Sequence, residues 1–154
     1  MAALDLINEI LPDHFDQKTD GTPEERAQHL VDQCFPGATG MQIDSLTGDL
    51  ATASSTLQKK NMALHGLMHG GAYFTIGDTL TALMCIFHVT KPRERMLTVN
   101  ASIRYLRPIS EGTMLSKARL SKKEGNILSF VCDFYNSEGK RAAQARFKYA
   151  LIEI

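Results

Sequence analysis

Residues 70–87 are apolar on nearly every side once coiled into a helix, through Tyr73, Phe74, Ile76, Leu80, Leu83, Met84, Ile86 and Phe87. A helix with no polar face cannot rest on a surface, so other elements must surround it. The run opens with His69-Gly70-Gly71. Two glycines there suit a helix start whose first N–H groups lack internal partners and sit at the positive end of the dipole. Two turns later stands a single carboxylate, Asp78. An unpaired charge in such surroundings is costly, and a chain that keeps one has a use for it. Bare amides can hold a developing oxyanion, and a carboxylate can act as base or nucleophile.

The rest of the chain supplies the wrapping. Residues 41–46 and 50–57 read as strands joined by the turn Thr47-Gly48-Asp49, and residues 58–68 as a loop into the helix. From 96 to 106, apolar Leu97, Val99, Ala101, Ile103 and Tyr105 alternate with polar Thr98, Asn100, Ser102 and Arg104, the period of a half-buried strand. Strands follow over 113–122 and 127–135, and a last one carries Ala143, Ala145, Phe147, Tyr149 and Leu151 on one side. Strands joined by tight turns predict an antiparallel meander. The expected architecture is α+β, a curved sheet around one long helix. The helix surface near Gly77 and Asp78 is left to face a second copy.

Before this body, a turn at Thr19-Asp20-Gly21 separates two segments. Leu4, Leu6, Ile7, Ile10 and Leu11 suggest a short helix stopped by Pro12. Thr22-Pro23-Glu24-Glu25 is a helix start, and that helix is expected to reach about Cys34 and end at Pro36-Gly37. The expected organisation is one domain, with a helical extension over 1–40 and the main body over 41–154.

Composition narrows the partners. The chain's 17 basic residues balance 17 acidic ones, so no broad basic field draws nucleic acid or an anionic membrane. Cys34, Cys85 and Cys132 form no C-x-x-C pair and are odd in number, which fits reduced thiols in the cytoplasm. The start of the chain lacks the features of a signal peptide, and Thr75, Asp78, Thr79 and Thr81 interrupt the apolar run too often for a bilayer span. The expectation is a soluble cytoplasmic protein. His65 and His69 have a spacing that metals use on helices, but Gly66 stands where a zincin motif has glutamate and His65 falls in loop. No metal site is expected.

The segment His69-Gly70-Gly71-Ala72-Tyr73-Phe74-Thr75-Ile76-Gly77-Asp78-Thr79 resembles the signature of hotdog-fold acyl-CoA thioesterases of the phenylacetate-pathway type. In that family His-Gly-Gly opens the central helix and an Asp or Glu follows nine positions after the His, as Asp78 does here. The strand ending Tyr105-Leu106-Arg107-Pro108 resembles the family's first strand after the helix, and the likeness runs over roughly residues 40–152. The resemblance implies hydrolysis of an acyl-CoA by water, without metal or cofactor. It implies Asp78 as base or nucleophile, the Gly70 N–H as oxyanion donor with Gly71 assisting, and a hydroxyl at Thr98 near the carboxylate. His69 would shape the helix start.

Gly70 and Asp78 lie about 12 Å apart along one helix, at about 1.5 Å per residue. Both can reach one carbonyl only if antiparallel helices of two copies meet, which implies a homodimer or a dimer of dimers. Family members often carry Asn or Gln six residues before the His, where this chain has Ala63; Asn61 and His65 are the nearby candidates for substrate binding. A second reading is therefore a module that binds acyl-CoA for sensing without hydrolysing it. A third, a hotdog dehydratase or hydratase, uses a catalytic His in other motifs.

Overall fold

The computed structural model describes residues 14–154, so the helix expected around residues 4–11 lies outside the described residues. Helix α1, Pro23–Val31, begins as its sequence dictates: the Thr22 hydroxyl accepts the Glu25 N–H at 3.1 Å, with Pro23 in the first turn. It stops short of Cys34. A 3-10 turn over Phe35–Thr39 then carries the chain to the body of the fold, closed by Gly40 at φ 74°.

Six strands follow in one antiparallel sheet: β1 Gln42–Leu46, β2 Leu50–Thr56, β3 Glu94–Tyr105, β4 Thr113–Glu124, β5 Ile127–Tyr135 and β6 Arg141–Glu153. Between β2 and β3 runs the long helix α2, Gly70–Ile86. Its contacts extend to β2, β3, β4, β5 and β6, so the sheet curls around it.

The sheet order, β1-β2-β4-β5-β6-β3, departs from the expected meander. Strand β3 leaves its neighbour in sequence and pairs with β6 at the edge. Residues 106–112, with Pro108 among them, are no tight turn, and the 13-residue β6 offers a free edge for the 12 residues of β3.

A second departure lies inside β3. The ladder to β6 pairs Thr98 with Tyr149 and Asn100 with Lys148, so Val99 is the extra residue of a bulge. The bulge shifts the strand's phase. Beyond it Ala101 and Ile103 pack on the core as the alternation predicts; before it Met96 packs inward while Leu97 is exposed. Thr98, opposite the buried Tyr149, shares the helix-facing side with it.

Small residues on the concave face, including Ala51, Ala53, Ala143 and Ala145, let α2 come close. Closest is Gly77, where a Cβ would meet the Phe147 ring at 2.8 Å and the Phe134 ring at 3.1 Å. Gly77 therefore faces the sheet, not the open flank on which it was expected. That flank carries Phe74, Thr75, Asp78, Thr79 and Ala82, all partly accessible. Among the described residues no helix is long and apolar enough to cross a membrane.

Candidate active site

The loop before α2 is pinned by its own backbone: Met68 N–H donates to Ile109 O and His69 N–H to Asn61 O. His69 then caps the helix, its Nδ1 accepting the Gly71 N–H at 2.8 Å. That bond leaves the imidazole proton on Nε2 and occupies the Gly71 amide, which was expected to assist Gly70. The Gly70 N–H has no acceptor among the described residues. Tyr105 closes over this glycine from β3. Its hydroxyl donates to Gly70 O at 2.6 Å, and a Cβ on Gly70 would lie 3.0 Å from that oxygen and 3.2 Å from Cζ.

Two cavities flank the helix start. One, of about 400 Å³, is lined by Ala63, His65, Gly70, Tyr73, Tyr105 and Arg107 among others. The other, of about 210 Å³, lies between Phe35 and Ala38 of the N-terminal segment and His69, Gly71, Ala72 and Thr75. Gly70 and His65 thus open to one side of the helix start, His69 and Gly71 to the other.

Asn61 is placed differently from its expected role. It is 3% exposed, and its amide donates to the carbonyls of Thr39 at 2.9 Å and Thr56 at 3.0 Å, while Oδ1 accepts the Gln58 N–H at 2.9 Å. The side chain is consumed in fastening the loop to the N-terminal segment. Its amide nitrogen is therefore committed to backbone carbonyls and is not turned toward the cavity beside Ala63. His65, exposed at the cavity rim, is the nearer candidate.

Asp78 sits half-buried on the open flank of α2, two turns along from Gly70. No ion pair reaches it among the described residues. Its Oδ1 instead accepts from the Tyr149 hydroxyl of β6 at 2.9 Å, and the same hydroxyl lies 2.9 Å from Asp78 O and 2.7 Å from Thr81 Oγ1. Burial, followed by the charge of Asp78, pushes the Tyr149 phenol far above its ordinary value, so it stays protonated. The strand register sets Thr98 beside Tyr149 on the same face. The helix start, beside the cavity under Tyr105, and the carboxylate, on the flank the sheet leaves uncovered, are thus two separate places along one helix. Tyr149 went unseen in the sequence. Its signal was a phenol in a buried row, since such a hydroxyl must find a partner.

Comparison with known proteins agrees with this fold. The sequence profile of the thioesterase superfamily matches residues 65–143, which spans α2 and the sheet to the start of β6. A candidate esterase of Caenorhabditis elegans is 29% identical over 98 residues, covering 62% of this chain and 57% of that protein's length. A mutant thioesterase from Pseudomonas aeruginosa superposes with a TM-score of 0.80 at 18% identity, covering 91% of this chain and 99% of that one. A hypothetical thioesterase of Streptococcus pneumoniae, solved with coenzyme A, gives 0.65 at 19% identity over 73% of this chain and 86% of that one. At such identities these two likenesses are of fold, the hotdog.

Proposed function

The chain belongs to the thioesterase superfamily, and from that premise we propose that it hydrolyses acyl-CoA thioesters with water, at a site completed by two copies of the chain as in the phenylacetate-pathway type. The observation that carries this is the pair of half-sites on α2, a Gly70 N–H and an Asp78 carboxylate that find no acceptor and no cation among the described residues, too far apart to serve one carbonyl. Antiparallel approach of two open flanks would set Gly70 of one copy beside Asp78 of the other. The solved relative holding coenzyme A supports the choice of thiol.

In this reaction Asp78 takes a proton from water as the oxygen adds to the thioester carbon. The carbonyl oxygen becomes an oxyanion and accepts the Gly70 N–H, a bond worth about 10²–10³ in rate. Collapse of the tetrahedral adduct breaks the C–S bond, and the departing thiolate recovers the proton from Asp78. The products are a carboxylic acid and free coenzyme A. His69 holds the helix start in register, and Thr98 orients the water. The apolar cavity between Phe35 and Thr75 takes the first carbons of the acyl chain, which makes the N-terminal segment its wall.

The test is thiol release from short, medium, long and aromatic acyl-CoAs by the purified protein. Turnover that disappears in Asp78→Asn is the expected result. Gly70→Pro, which removes the N–H at a position where proline suits a helix, is also expected to be inactive, with Gly70→Ala as the control for the crowding a Cβ brings against Tyr105. Mixing the two inactive variants then restores activity, because each hybrid pair contains one intact site; no recovery would refute a shared site. Tight binding of acyl-CoA with no turnover would instead establish the sensing module, the reading that Ala63 favours.

A further inference from the structure

We propose that Tyr149 is a positioning residue for the Asp78 carboxylate, an assignment that rests on the hydrolytic reading above. Its ring has little freedom. Tyr149 is 1% exposed and meets Phe130 edge to face at 5.8 Å between centroids. From that fixed ring one hydroxyl touches Asp78 Oδ1, Asp78 O and Thr81 Oγ1. Thr81 has an outlet of its own, Gly77 O at 2.8 Å. The phenol carries one proton for three acceptors, and an ionised carboxylate is the strongest of them. The proton therefore lies toward Oδ1, which fixes the side-chain torsions of Asp78 and leaves Oδ2 to take a proton from water.

The type of donor matters as much as its place. A lysine or arginine would hold the carboxylate equally well, but a full opposite charge weakens a base far more than a neutral hydroxyl does. Another ionisable group that feels the Asp78 charge is Cys85, further along α2. Its thiol is held neutral by burial first and by the Asp78 charge second. Among the described residues Asp78 is thus oriented by one neutral hydroxyl, with no ion pair. Across 71 residues of sequence, the sheet holds the helix's one carboxylate in a single pose.

Tyr149→Phe tests this beside wild type and Asp78→Asn, with kcat, KM and the pH profile of kcat/KM measured for each. The expected result is a fall in kcat of about tenfold to a hundredfold, KM within about twofold of wild type, and an acid limb moved to higher pH. The limb moves that way because loss of a donor disfavours the charged form. Site-specific 3-fluorotyrosine at position 149, nearly isosteric and a stronger donor, is expected to move the limb to lower pH; it also serves if the phenylalanine variant fails to fold. A variant equal to wild type in kcat and pH profile, or one that only melts earlier, overturns the assignment while the hydrolytic reading stands. A wild type without turnover on any acyl-CoA overturns both, and is told apart by that baseline.

Discussion

The two flanks of α2 share a backbone and little else. Toward the sheet, Ile76, Leu80 and Met84 are wholly buried, and Gly77 is so close to Phe147 and Phe134 that no side chain fits. Away from it, Phe74, Thr75, Asp78 and Thr79 stay partly accessible, and the carboxylate is tethered by a hydroxyl reaching around from β6. Identity on the first flank is set by volume, and on the second by chemistry. If that division is real, substitutions on one flank damage stability and on the other damage turnover, with little crossover.

The largest expected effect is on the open flank. Asp78→Asn should lower kcat by about 10²–10⁴ and leave the urea midpoint close to wild type; a large loss of stability would show that the carboxylate serves the fold instead. Next comes Gly77→Ala, one residue away. Overpacking against the two rings should cost about 1–3 kcal/mol in chemical denaturation, with kcat of the folded protein little changed. Ala38→Phe, which intrudes on the cavity behind His69, should shift the preference between long and short acyl-CoAs by about tenfold; unchanged selectivity would remove the N-terminal segment from the acyl site.

The smallest effect concerns the two buried thiols, one on α2 and one on β5. Burial raises both Cys85 and Cys132 above the ordinary 9.0. The unfolded chain therefore releases these protons first, and their contribution to stability is complete below that value and declines as pH rises past it. Urea midpoints should fall between about pH 8 and about pH 10, and Cys85→Ala should flatten that slope even where it lowers stability overall.

Much of this was legible in the sequence. An all-round apolar run demanded wrapping, and period-two segments supplied the strands that wrap it. The alternation in β3 then misled by its regularity: nothing in Met96 to Tyr105 announces that Val99 is surplus, because a bulge is chosen by the ladder with β6. The edge position of β3 was hidden for the same reason, since pairing is a property of two segments. Asn61 and the Gly71 amide looked available because their partners, Thr39, Thr56 and the His69 ring, become neighbours only in the folded chain. Tyr149 and Asp78 could have been matched as two polar groups in apolar rows, each lacking a companion nearby in sequence.

The surplus residue at Val99 works as a frame-shift written in three dimensions. Drawn into the ladder instead of bulging out of it, that one residue would restore an unbroken pleat, bring Val99 opposite Tyr149 and turn Thr98 toward the outside while Leu97 swung under the helix. The composition of the strand would not change, yet the hydroxyl beside Tyr149 would give way to a hydrocarbon.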